Sequence, residues 1–207
     1  MLNEKTCPRV SPFGPAYWKN AADQLKSVRM LALAGLISAL AVALESAPLF
    51  LMGFSLRIYF SFLVVSVGAF VYGPVVALLA GMVTDTISFM IFSFGEPYFP
   101  GYMITAMLSG MLYGMMLYRQ RITVLRLFLT KLVINYAINV ALGSVWKAML
   151  YGKAYQVYFV SGLGKNTMLL PLEVLLMVMV FSLLMPALKR GGLIPADSLT
   201  DGKIPWF

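Results

Sequence analysis

The sequence predicts an all-α membrane protein: one bundle of six transmembrane helices, with both termini cytoplasmic. Three observations predict it. Of 207 residues, 60% are hydrophobic and only 12% charged, about half the charge of an average soluble domain. Apolar runs recur at lengths near the roughly 20 residues that cross a bilayer as helix. Lys and Arg concentrate in alternate connections, the asymmetry that sets topology. With the N-terminus inside, the cytoplasmic flanks hold Lys19, Lys26, Arg29, Arg119, Arg121, Arg126, Lys189 and Arg190, against Arg57, Lys147, Lys153 and Lys165 outside.

The spans follow in order. Met30–Ala47 comes after a polar segment and reads as a retained helix, not a cleaved leader. Ile58–Tyr72 and Val75–Phe94 are parted only by Gly73-Pro74, a tight turn signal; one long kinked helix, giving five spans, is the alternative. Tyr102–Tyr118, Val124–Leu150 and Asn166–Leu188 complete the set. Residues 1–29 form a polar cytoplasmic segment, 30–190 the membrane domain and 191–207 a cytoplasmic tail. No linker, low-complexity tract or internal repeat interrupts the domain.

Composition excludes several function classes. One Cys and no His argue against a disulfide framework, a metal site and His-based catalysis. No paired aspartates occur within the spans and no Gly-x-Ser-x-Gly elbow is present, so an intramembrane enzyme is not expected. The net charge of +8 is accounted for by the flanks of the spans and does not call for nucleic acid. The stretch Gly162-Leu-Gly-Lys-Asn-Thr167 is like a phosphate-binding loop. A Walker A loop needs Gly five residues before its Gly-Lys-Ser/Thr, between a strand and a helix. Here Phe159 holds that position, Asn166 follows the lysine and no strand precedes it. The chain therefore carries no ATPase of its own, and active transport would need ion coupling or a partner. A self-contained carrier or channel is a competing reading, but it would often show inverted repeats or paired broken helices.

Ionisable groups inside a bilayer are costly and mark functional candidates, although interhelical hydrogen bonding is the structural alternative. Asp85 lies near the middle of the third span and Lys131 in the inner half of the fifth. The two can pair, or Lys131 can reach the cytoplasm. On the fifth span Lys131, Asn135, Asn139, Gly143 and Trp146 share one face by three- and four-residue spacing, and that face must look into the bundle. On the sixth, Asn166, Leu170, Glu173 and Met177 share a face, with Pro171 loosening the backbone beside it. Lys165 and Asn166 then stand at the outer mouth of a pocket with Glu173 about two turns below.

Two further stretches, Phe92 to Tyr102 and Trp146 to Phe159, read as outer loops dense in aromatics. Tyr98, Trp146, Tyr151 and Tyr155 are candidates to stack a planar ring, and Arg57, Lys153 and Lys165 to neutralise acidic groups. The first helix has two small-residue faces. Ala32, Gly35, Ala39 and Ala43 line one at four-residue spacing, which lets another helix approach closely. Ala34, Ser38 and Ala41 line the other and lead to Glu45. One face suits internal packing and the other a partner.

Three stretches, FSFLVVSVGAFVYGPVVALLAGMVTDTI, YFPGYMITAMLSGMLYGMMLY and LYGKAYQVYFVSGLGKNTMLLPLE, carry a resemblance that extends over nearly all of residues 30–190. In them the chain resembles a substrate-binding (S) component of an energy-coupling-factor vitamin transporter, and is most similar to the folate-type group. The resemblance implies a multi-pass protein of a bacterial cell membrane with a vitamin pocket near the outer surface, for folate or a related pteridine, and no cofactor. It also implies docking onto a module of one transmembrane coupling subunit and two cytoplasmic ATPase subunits. The family's small-residue motif falls on Ala39 and Ala43, with Gly35 one turn earlier. The folate-type pattern has an arginine three residues before the Lys-Asn pair, where this chain has Gly162. Arg57, Lys147 or Lys153 would replace that cation, or the substrate is another vitamin such as riboflavin, thiamin or biotin.

Overall fold

The computed structural model describes residues 14–46, 49–51, 56–92, 98–152 and 154–193. They form helices α1 (Pro15–Asp23), α2 (Val28–Glu45), α3 (Ser61–Tyr72), α4 (Pro74–Phe92), α5 (Pro100–Leu117), α6 (Val124–Val133), α7 (Gly143–Tyr151) and α8 (Tyr155–Arg190). A π-helical segment, Ile134–Leu142, joins α6 to α7 without a break. The all-helical expectation misses one detail: β1 (Leu49–Leu51) and β2 (Leu56–Ile58) pair antiparallel after α2, with Leu49 opposite Ile58. The triplets Leu-Phe-Leu and Leu-Arg-Ile are too brief for helix and suit a ribbon.

Among the described residues, four helical stretches are long and apolar enough to cross a membrane: Val28–Glu45, Pro74–Phe92, Val124–Tyr151 and Tyr155–Arg190. The protein is therefore a multi-pass membrane protein by its helices. Helix α3, at 12 residues, spans only about 18 Å and carries no charged residue. Its second half, Ser66 to Tyr72, is buried on all sides. Between α3 and α4 the chain turns at Gly73, with φ 86°. That conformation suits glycine alone and breaks the helix, so the long kinked alternative does not form.

The helix α1 lies in the segment read as merely polar. Pro15 opens it, where a missing N–H costs nothing, and its anchor is Tyr17. The Tyr17 hydroxyl donates to Gly114 O at 2.9 Å, and its ring meets Tyr118 edge-on at 5.7 Å. Burial raises the hydroxyl's pKa, so it stays a donor. At the same end Arg29 Nη2 donates to Gly191 O at 2.8 Å. The start of α2, the end of α5 and the end of α8 are thereby gathered at one end of the bundle.

The central seam is between α4 and α5. A Cβ on Gly110 would come within 2.5 Å of Ala77 O, and one on Gly81 within 2.6 Å of Ala106 O. Backbones this close exploit the small-residue approach typical of membrane helices. Around the seam the core is filled by Tyr72, Leu117, Ile122, Met177 and Met185, with Phe70 edge-on to Phe181 at 5.8 Å.

Helix α8 starts eleven residues before the expected Asn166. Glycines and Lys165 lower the hydropathy of its first turns without ending the helix. Asn166 Nδ2 bonds Gly162 O and Thr167 Oγ1 bonds Leu163 O, one turn back. The phosphate-loop-like stretch is thus regular helix. The stretch Trp146 to Phe159, expected as loop, holds the end of α7, to Tyr151, and the start of α8, from Tyr155. Gly152, at φ 69°, caps α7.

Because the seam leaves no room for a side chain, Gly110→Ala should cost about 1 to 3 kcal/mol through overpacking. It should melt at a lower temperature than wild type in detergent. Gly35→Ala, with nothing within 4 Å of the added carbon, should melt as wild type does.

Candidate functional site

Lys131 is 3% exposed in the interior of the bundle. A charge there must be met by the protein itself. Its Nζ lies 3.4 Å from Glu173 Oε1, 3.5 Å from the Tyr113 hydroxyl and 3.7 Å from the centre of the Phe62 ring. The partner is thus Glu173 on α8, not Asp85. The sequence could not separate them, because α8's rotation decides which carboxylate reaches the lysine.

The network continues outward along the π-helical segment. Asn135, fully buried, donates Nδ2 to Glu173 Oε2 at 2.7 Å. Asn139 donates Nδ2 to Asn135 Oδ1 at 3.2 Å. The wider π turn, a frequent mark of functional sites, keeps both asparagines on the inner side. The face predicted from spacing on the fifth span therefore exists, and it meets the face predicted on the sixth.

Asn139 and Lys131 line a cavity of about 440 Å³, within the usual range for small-molecule sites. Helix α3 contributes Ser61, Phe62 and Val65, with Tyr59 just before it. Helix α4 contributes Gly81, Thr84 and Asp85, and α5 contributes Tyr102, Thr105, Ser109 and Tyr113. Glu45 closes the wall from the end of α2, beside Ser61 and Ser88. By helix direction the cavity lies toward the end of the bundle away from α1. One wall is aromatic, one carries the amide of Asn139, and two carboxylates face across.

Among the proposed ring-stacking residues, Trp146 is nearest to this wall. Its Nε1 donates to Thr105 Oγ1 at 3.0 Å, and its ring meets Phe99 at 5.8 Å. A Cβ on Gly101 would come within 2.7 Å of the indole, so glycine lets the first turn of α5 lie against it. Tyr98 is exposed, edge-on to Phe89 at 5.0 Å. Tyr151 and Tyr155 are exposed at the α7–α8 turn, stacked loosely on Tyr158 and Phe159. Lys165 is exposed on α8, about 12 Å along the helix from Glu173. Asn166 gives one Nδ2–H to Gly162 O on its own helix and keeps the other. Arg57 is placed through its backbone, on β2 opposite Phe50. Lys153 and residues 93–97 lie outside the described residues.

The sequence reading missed the α5 wall. Tyr102, Thr105, Ser109 and Tyr113 recur at three- and four-residue spacing, so the signal was present. It was masked by the glycines of the other face, which pack the seam. On α2, Ala34, Ser38 and Ala41 are buried, whereas Ala32, Gly35, Ala39 and Ala43 are exposed along the opposite side.

Removing one partner of a buried ion pair leaves the other uncompensated, at a typical cost of 3 to 5 kcal/mol. Lys131→Met should therefore lose about that much stability in thermal or denaturant unfolding. Lys131→Met combined with Glu173→Met should recover part of the loss.

A family model described as ECF transporter, substrate-specific component, matches residues 29–193. The chain is 32% identical over 118 residues to the folate transporter FolT of Clostridium novyi (strain NT), covering 57% of this chain and 68% of that protein. It is 26% identical over 125 residues to the folate transporter FolT of Leuconostoc mesenteroides subsp. mesenteroides, covering 58% and 67%. A crystal structure of FolT bound with folic acid superposes with a TM-score of 0.65 at 27% identity, covering 73% of this chain and 91% of that one.

Proposed function

We propose, from the premise that this chain belongs to the substrate-specific components of ECF transporters, that it binds folate or a closely related pteridine and delivers it to an ATP-driven module. The family is one of transport components and not of enzymes. The observation that carries the ligand is the cavity: an aromatic wall facing an amide, in a fold that matches a folate-bound FolT. The pteridine ring would enter the cavity against Tyr59, Phe62 and Tyr102, with Asn139 at its polar edge and Glu173 behind. Trp146, Tyr98, Tyr151 and Tyr155 would line the approach. Arg57, Lys153 and Lys165, with Asn166 beside the last, would meet the ligand's carboxylates in place of the cation that Gly162 does not provide.

The same reading assigns topology. The bundle would cross a bacterial cell membrane six times, with α3 as a short embedded span and both termini cytoplasmic. Residues 30–190 would be the membrane domain between polar ends, residues 1–29 and 191–207. The exposed stripe of Ala32, Gly35, Ala39 and Ala43 would seat the transmembrane coupling subunit, with two ATPase subunits beneath it. A stripe without large side chains, facing away from the cavity, supports this assignment.

Two experiments test the reading. Calorimetry on the purified protein should show one-to-one binding of folic acid, and none of comparable strength for riboflavin, thiamin or biotin. Tyr102→Ala should weaken folic acid binding by about 5- to 150-fold, the usual worth of one stacking contact. Tight binding of another vitamin with none of folic acid would overturn the ligand and leave the family intact. In the second experiment, Ala39→Trp and Ala43→Trp should keep folic acid binding yet lose co-purification with the energising module and ATP-dependent uptake. Assembly and uptake at the wild-type level in both would move the interface elsewhere.

A further inference from the structure

The donors and acceptors of this hydrogen-bonded chain, which runs from buried Lys131 out to exposed Asn139, are ordered by its first member. An ammonium has donors only. Lys131 faces Glu173 Oε1 at 3.4 Å, and the paired carboxylate can only accept. Its Oε2 must then be met by Asn135 Nδ2, at 2.7 Å. This turns Asn135 Oδ1 toward Asn139, which answers with Nδ2 at 3.2 Å. Each amide takes its orientation from the one before. Asn139 is left with its carbonyl oxygen and one N–H, and it lines the cavity.

We infer that Lys131 and Glu173 are positioning residues: through Asn135 they hold the Asn139 amide in one orientation. That orientation selects ligands presenting a ring N–H beside a carbonyl over ligands presenting a ring nitrogen beside an amine. The inference rests on the proposed folate reading. The 2-amino-4-oxopteridine ring of folic acid has the first kind of edge, and its 2,4-diamino analogue has the reverse order of donor and acceptor.

The substitution Glu173→Gln separates orientation from packing, because it keeps the shape. Lys131 still requires an acceptor, so the new carbonyl oxygen stays toward it and the new amide nitrogen faces Asn135. Asn135 must then present Oδ1, and its Nδ2 turns to Asn139. Asn139 accepts with its own Oδ1 and shows the cavity a donor where it had an acceptor. The whole chain reverses.

Calorimetry with folic acid and its 4-amino analogue tests this. Wild type should prefer folic acid by about tenfold, the size of one mispaired buried hydrogen bond. Glu173→Gln should lose or reverse that ratio. Asn139→Ala, at a residue open to the cavity, should fold and bring the ratio near one. A wild-type ratio retained in either variant overturns the inference, and Asn139→Ala decides if Glu173→Gln does not fold. A ligand-free arm uses 15N-asparagine labelling. Glu173→Gln must move the side-chain resonance of Asn139, two hydrogen bonds from the substitution, and an unmoved resonance overturns the relay. If wild type binds neither pteridine, the folate reading falls and the relay is judged on that resonance alone.

Discussion

A lysine in the interior of an apolar bundle is the constraint on which the rest depends. An ammonium cannot be left unmet in low dielectric, so Lys131 requires a carboxylate, a hydroxyl and a ring face around it. Glu173, Tyr113 and Phe62 provide them. These three come from α8, α5 and α3. One buried charge therefore sets the rotation of three helices about α6. The pair gives little net stability by itself, because desolvation offsets much of the attraction. Its effect is on arrangement: other rotations of the same apolar helices would strand the charge.

The arrangement propagates outward. Glu173 has two oxygens and Lys131 takes one, so the other must find a donor. Asn135 is that donor, and Asn139 completes it. The segment bearing both is wound as π-helix, Ile134–Leu142, a form with poorer backbone packing than α. It persists here where its inner side is polar: Asn135 is bonded to Glu173 of α8, and Asn139 lines the cavity. The seam between α4 and α5 has the opposite character. There the backbones touch through Gly81 and Gly110. Crowding on one face of α5 leaves Tyr102, Thr105, Ser109 and Tyr113 free to line the cavity with the other.

Much of this was legible in the sequence, and the losses have physical reasons. The inward faces of the fifth and sixth spans follow from periodicity, since two asparagines and a glutamate cannot face lipid. The two faces of α2 follow likewise. Which carboxylate meets Lys131 does not follow, because periodicity fixes a face but not the rotation of one helix against another. The start of α8 was lost because hydropathy measures lipid contact and not helicity. Gly162, Gly164 and Lys165 lower the first without ending the second. The aromatics of Trp146 to Phe159 looked like a loop for the same reason. The ribbon of β1 and β2 was missed because three-residue strands carry no period.

The separation of the two faces of α2 has a consequence for transport. Ala34, Ser38 and Ala41 are buried against the bundle, and Glu45 at the end of that line reaches the cavity. Ala32, Gly35, Ala39 and Ala43 lie outside. A single rigid helix thus carries a cavity wall on one side and, on the proposed reading, the docking stripe on the other. A partner that moves α2 as a body moves part of the wall with it. The bonds that hold Asn139 run instead through α8 and the π-helical segment. On that reading, docking would act on the carboxylate side of the cavity while the amide side kept its order, and release of the ligand would be separate from its recognition.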